Sequence, residues 1–188
     1  MRPRNRLTQV SSLALLAIAA AVPALAQEFS PAENLAPYIP SPQAIVERML
    51  EVGRVKPGDL VYDLGSGDGR VIITAAQQFG ARAVGIEIQP DLCYRTEQKI
   101  KALGLEDRVR MVHGSALHAD LHLADVVTMY FTTLSNEKLK PELEKMKPGA
   151  RVVSNQFPIK GWKPSEAVII KTGNIERTIY LYEIGHTK

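Results

Sequence analysis

Two carboxylates and three glycines carry the chemistry that is legible in this chain. Val61-Tyr62-Asp63-Leu64-Gly65-Ser66-Gly67-Asp68-Gly69-Arg70 reads as the end of a buried strand, a glycine turn and the first turn of a helix. Gly65, Gly67 and Gly69 alternate, so the backbone can take positive φ and approach a ligand with no Cβ in the way. A helix that follows such a turn points its free N–H groups back at whatever the turn holds. A ligand is therefore expected on this turn.

The acids decide which ligand. A dinucleotide site would show G-x-G-x-x-G after the strand. Here the third glycine falls one residue early, and Asp63 stands just before the turn. A carboxylate repels a pyrophosphate but attracts the ammonium and sulfonium of S-adenosylmethionine. Glu87 closes a second apolar run, Ala83-Val84-Gly85-Ile86. An acid at the end of the second strand, about 20 residues on, is placed to accept hydrogen bonds from ribose hydroxyls. Were the two acids incidental, Asp63 would be a nearly buried charge without a partner, which is costly.

The elements that must position these groups alternate along the chain. Ser41 caps a helix with Pro42 at its first position, and Gly53 ends it. Strand 60–64 leads to helix 69–79, and strand 82–87 to helix 90–103. Strand 108–113, a loop rich in His and Asp, and strand 125–130 follow. Helix 135–146 and strand 150–157 come next, then two runs, 166–172 and 177–184, which are both strands. Alternating strand and helix implies a parallel sheet covered on both faces. A terminal pair with a short connection adds an antiparallel strand. The expected fold is a doubly wound, seven-stranded, mostly parallel α/β sheet.

The first 26 residues differ from the rest. Arg2, Arg4 and Arg6 precede an apolar stretch, Leu13 to Ala26, ending in Ala24-Leu25-Ala26. This pattern is a secretory leader with cleavage expected after Ala26, and the apolar part is short for a membrane span. Export to the periplasm or outside is expected, with a retained membrane anchor or mitochondrial targeting as alternatives. Residues 27–40 form a Pro-punctuated arm and 41–188 the folded domain. The leader's three arginines account for the whole formal charge of +3, so the chain from Gln27 onward is balanced. The overall basicity is thus no argument for nucleic acid as a partner. The one cysteine, Cys93, excludes an intramolecular disulfide and reads as a small core or pocket-wall residue.

The chain resembles the class I S-adenosylmethionine-dependent methyltransferases throughout its mature part. More narrowly, it resembles the small protein-lysine methyltransferase family with archaeal and mitochondrial members. The resemblance rests on Pro37-Tyr38-Ile39-Pro40-Ser41-Pro42, the Val61–Arg70 stretch, Val126-Val127-Thr128-Met129-Tyr130, Leu139-Lys140-Pro141-Glu142-Leu143, and Gly149-Ala150-Arg151-Val152-Val153-Ser154 running into Gly161-Trp162. It implies S-adenosylmethionine as cofactor. Asp63, Gly65 and Gly67 would hold its methionine part, with Gly69 supporting the turn. Glu87 would take the ribose hydroxyls and Ile88 would pack on the adenine. Ser115 stands where the family usually offers Asp or Asn to the adenine amino group. Tyr38, which by sequence either staples the arm to the core or lies over the cofactor, would belong to a lid.

Methyl transfer from a sulfonium is an in-line displacement, so alignment and desolvation do most of the work. A lysine acceptor must first be neutral, since its free pKa is about 10.4. Tyr130, after the fourth strand, is the candidate to orient the amine, although an ordinary end-of-strand aromatic would look the same. Phe131 would be a wall, and Asn155 and Gln156 would face it from the fifth strand. No Asn-Pro-Pro-Tyr follows the fourth strand, which counts against amino-group methylation of adenine or of glutamine amides. His113, His118 and His122 with Asp120 invite a metal, but their segment has no helical periodicity and reads as a solvated loop, so no metal is expected. Three functions remain open: methylation of a protein bearing an accessible lysine, methylation of a small molecule, and an exported non-catalytic domain that retains the fold.

Overall fold

The computed structural model describes residues 28–172 and 175–188. The expected leader, 1–26, lies outside the described residues. The fold centres on β1 (Leu60–Leu64), which pairs in parallel with β2 (Arg82–Glu87) on one side and β4 (Val126–Met129) on the other. β3 (Val109–His113) extends the β2 side, and β5 (Arg151–Asn155) the β4 side. The order is β3-β2-β1-β4-β5-β7-β6, a seven-stranded sheet as expected. The last pair does not simply append. β7 (Ile175–Glu183) inserts beside β5 and runs antiparallel to it, leaving β6 (Glu166–Thr172) at the edge.

Period-two alternation splits the core between the faces. Val126 and Val153 face α1 (Gln43–Val52) and α2 (Arg70–Phe79), within a cluster that includes Ile45, Leu50 and Ile72. Val127 and Val152 face the other way, onto α4 (Thr133–Leu143), Trp162 and Tyr182. α3 (Pro90–Ala102) adds Cys93 and Ile100 to the first cluster. Both faces of β4 are buried, as a central parallel strand requires.

Four boundaries move for identifiable reasons. Pro42, not Ser41, occupies the N-cap of α1, because the Ser41 hydroxyl is taken by Asn155 Nδ2 at 3.2 Å. α4 begins earlier than 135 because Thr132 caps it, its hydroxyl accepting from Ser135 N–H at 3.2 Å. It also ends earlier. Pro141 has no N–H to give, and the following turn tightens into i→i−3 bonds from Lys145 and Met146. β5 stops at Asn155 because Gln156 turns to φ 69°, out of the strand region.

Candidate cofactor and acceptor cleft

The C-terminal ends of β1, β2 and β4 open into a cleft of ≈ 260 Å³, lined also by residues 33–40 of the arm and by Ser41. This is where doubly wound sheets place ligands, where the strand order reverses beside β1. Gly65, Gly67 and Gly69 have φ of 71°, 55° and 73°, so the turn is left-handed at every second residue. Gly65 N–H and Ser66 N–H both donate to the Ile86 carbonyl, at 2.9 and 3.0 Å, which ties the turn to β2. A Cβ on Gly65 would lie 2.8 Å from Phe131 Cζ, and one on Gly67 would strike the Tyr38 ring. The turn is therefore gripped from both sides by aromatic rings.

Asp63 is 5% exposed, and its one close side-chain partner is Thr128, whose hydroxyl donates to Oδ1 at 2.7 Å. Burial pushes its carboxyl from 3.8 up to about 7, against the pull of the Thr128 and Ser66 hydroxyls. Glu87 is equally buried and serves the backbone: Oε2 accepts from Gly67 N–H at 2.8 Å and Oε1 from Gln89 N–H at 2.9 Å. Each oxygen keeps a lone pair for a further donor. Ser66 Oγ, near enough to act on Asp63, is buried and completes no hydrogen bond. Two buried acids and an orphaned hydroxyl around a glycine turn suit a ligand that is cationic at one end and hydroxylated at the other. S-adenosylmethionine is such a ligand, and the residues present fit it.

The remaining candidates divide. Tyr38, Asp63, Gly65, Glu87, Ile88, Tyr130 and Phe131 all line the cleft. Gly67 and Gly69 stand behind it: the Gly67 carbonyl accepts from Thr96 Oγ1 at 3.1 Å, and Gly69 is the left-handed N-cap of α2. Ser115 is not on the cleft. Its hydroxyl accepts from Leu117 N–H at 3.3 Å and caps a single 3-10 turn, while Gly114 and Ala116 on either side reach the wall. Asn155 and Gln156 are also off the cleft wall, each with a buried side-chain oxygen that has no partner. Phe157 stands on the wall instead, 6.2 Å from the Tyr130 ring and nearly parallel to it. The three histidines go separate ways: His113 to the Ile88 carbonyl, His118 to Glu33, and His122 to Asp120. Cys93 donates to the Glu87 carbonyl at 3.3 Å, and burial pushes its thiol up to about 12, so it is an unreactive core residue off the cleft.

Sequence reasoning missed Thr128, Arg70, Phe157 and Arg177. Thr128 had a signal, a lone hydroxyl in an otherwise apolar strand. Arg70 grips both oxygens of Asp68 and reaches the Ser41 carbonyl with Nη1, clamping arm to turn. Arg177 reaches Tyr130 from β7, a contact no local pattern could announce.

Sheet order, glycine turn and acid pair together define an S-adenosylmethionine-dependent methyltransferase of the doubly wound kind. The chain belongs to the family of the ANTKMT methyltransferase domain, whose profile matches residues 63–166. It is similar to a protein-lysine N-methyltransferase of Saccharolobus islandicus, 47% identical over 154 residues, spanning 81% of this chain and 96% of that protein. It is also similar to the adenine nucleotide translocase lysine N-methyltransferase of Mus musculus, 34% identical over 134 residues. That match spans 70% of this chain but only 58% of the mouse protein. Among solved structures, an RNA methyltransferase from Salinibacter ruber in complex with S-adenosyl-L-homocysteine is 41% identical with a TM-score of 0.73. It covers 78% of this chain and 94% of that one.

Proposed function

We propose that this protein transfers the methyl group of S-adenosylmethionine to the ε-amino group of lysine in a protein. The observation that carries this is the aromatic stretch of the cleft wall: Tyr130, Phe131 and Phe157 line it together, and among these three Tyr130 supplies the hydroxyl. Aromatic walls suit the methylene stem of a lysine, and one oxygen suffices to orient an amine. The acceptor nitrogen gives its lone pair to the methyl carbon as the carbon–sulfur bond breaks. S-adenosylhomocysteine leaves, and the new ammonium loses its proton to water. Asp63 and Glu87 hold the cofactor, the arm excludes water, and Tyr130 aims the amine.

An RNA acceptor is the second reading, on the likeness to the Salinibacter ruber protein. The charge balance of the chain from Gln27 onward opposes it, because affinity for a polyanion comes from a surplus of Lys and Arg. The deciding experiment offers radiolabelled cofactor with lysine-rich protein and with RNA in parallel. Label in acid-stable methyllysine is the expected result. Label only in RNase-sensitive material would overturn the lysine reading.

We further propose that the protein is exported by its leader, on the strength of Arg2, Arg4, Arg6 and the apolar run to Ala26. N-terminal sequencing of the protein recovered from the cell envelope should begin at Gln27. Recovery of the full chain in the cytosol alone would refute export.

A further inference from the structure

Tyr130 follows β4 on the cleft wall, and its hydroxyl is met by the guanidinium of Arg177 from β7. The same guanidinium carbon sits 5.0 Å from the centroid of the Tyr130 ring. Phe157 stacks on that ring at 6.2 Å between centroids. Arg177 is set in place by the ladder: Gln156 N–H donates to the Thr178 carbonyl at 2.7 Å, and Arg177 pairs with Ile170 of β6. Among the described residues no carboxylate lies within ion-pair distance of Arg177. The nearest acid on its strand, Glu176, pairs with Lys171. A half-buried positive charge is thus held beside the phenol that faces the acceptor, with no counter-ion.

We propose that Arg177 is a positioning residue for methyl transfer: it aims the Tyr130 hydroxyl at the acceptor amine, and its unneutralised charge favours the neutral, nucleophilic form of that amine. The proposal rests on the lysine reading above. A guanidinium has only donors, so in this contact the phenolic oxygen must accept. That fixes the hydroxyl in one orientation and leaves its second lone pair for an N–H of the amine. An ammonium placed there would face a like charge at short range, which disfavours the charged form. The amine would then shed its proton to water at a lower pH than a free lysine. No general base is needed there. The titratable and charged groups lining the same cleft are Asp63 on β1, Glu87 on β2, Glu33 and Tyr38 on the arm, and the Asp68–Arg70 pair at the turn. Asp63 and Glu87 belong to the cofactor end, so rates are to be compared at saturating cofactor.

The test is the pH dependence of kcat, with the full chain and the lysine-bearing protein labelled in the transfer assay. Arg177→Gln should move the acid limb to higher pH by about one unit, leaving the variant about tenfold slower near neutrality and close to wild type at pH 10. Arg177→Lys keeps the charge and should keep the limb, with a lower plateau. Tyr130→Phe should lower kcat without moving the limb. S-adenosylmethionine affinity, measured by calorimetry, should stay within twofold in all three. An unmoved limb in Arg177→Gln, with loss confined to kcat or Tm, overturns the proposal while leaving lysine methylation intact. Wild type that binds cofactor but labels no lysine overturns the lysine reading first, and this inference with it.

Discussion

Thr128 Oγ1 donates to Asp63 Oδ1 at 2.7 Å, and the two residues are direct partners across the β1–β4 ladder. The hydroxyl is the one neutral donor that β4 aims at a carboxylate buried to 5% exposure. Thr128→Val keeps the shape and removes the donor. A hydrogen bond to a charged group is worth about 1.5–3 kcal/mol, so cofactor affinity at pH 7.5 should weaken by about tenfold or more. Calorimetry would read this directly. An unchanged Kd would mean that Asp63 does not depend on β4.

Asp63 also makes cofactor binding pH-dependent in a direction opposite to stability. Its folded carboxyl is raised from 3.8 to about 7 by burial. Folding therefore favours the protonated form: the contribution is full below the unfolded pKa and is lost as pH rises through 7. Asp63→Asn should consequently gain Tm relative to wild type as pH goes from 5 to 7.5. A cationic ligand needs the ionised form, so wild-type affinity should fall by about tenfold per unit as pH drops below 7. Asp63→Asn should bind weakly with no such slope. A wild-type affinity that is flat from pH 5 to 7 would remove Asp63 from the cation's contacts.

The parts of this site that are continuous in sequence were legible, and the parts built by register were not. Val61 to Arg70 announces strand, turn and helix because strand burial, glycine conformation and helix start each leave a local mark. Glu87 could be placed by distance from the turn, but its grip on Gly67 N–H could not. That bond needs the β1–β2 register, in which Leu64 faces Ile86. The resemblance assigns Ser115 to the adenine, and its hydroxyl accepts from Leu117 N–H in its own turn, a local bond of the kind short polar side chains commonly form. The strand expected over 150–157 places Asn155 and Gln156 within β5. The left-handed Gln156 ends the strand and brings Phe157 to the wall in their place. The sheet order followed from alternation, but β7 inserting beside β5 is what carries Arg177 to Tyr130, and nothing near either residue points to the other.

Gly65→Ala tests whether the turn is needed for the ligand or only for the fold. At φ 71° a Cβ costs about 1–2 kcal/mol, and here it would also sit 2.8 Å from Phe131 Cζ. Adding Phe131→Ala should recover part of the lost Tm, because it removes the ring but not the φ penalty. Cofactor binding should stay weakened at least tenfold in the double variant. Recovery of full affinity would show that the bare Cα of Gly65 does not face the ligand.

The arm should behave as a strap whose two fastenings nearest the turn and α4 are Arg70 and Ser135. Arg70 holds Asp68 with Nε at 2.8 Å and Nη2 at 2.6 Å, while Nη1 takes the Ser41 carbonyl. Ser135 Oγ donates to the Leu35 carbonyl at 2.7 Å and pins the other end to α4. Between them Tyr38 lies over Gly67, still 41% exposed. Charge-assisted, two-pronged contacts of the Arg70 kind are stronger than neutral ones. Arg70→Ala should therefore raise the cofactor Kd by about tenfold, Ser135→Ala by about threefold, and both should speed cofactor release more than they slow capture. Tyr38→Ala should match Arg70→Ala, and combining the two should add little, since residues acting through one contact are not additive. Stopped-flow release of bound cofactor would read each rate. Fully additive losses would mean that Arg70 acts on the turn itself, through Asp68, and not by holding the arm.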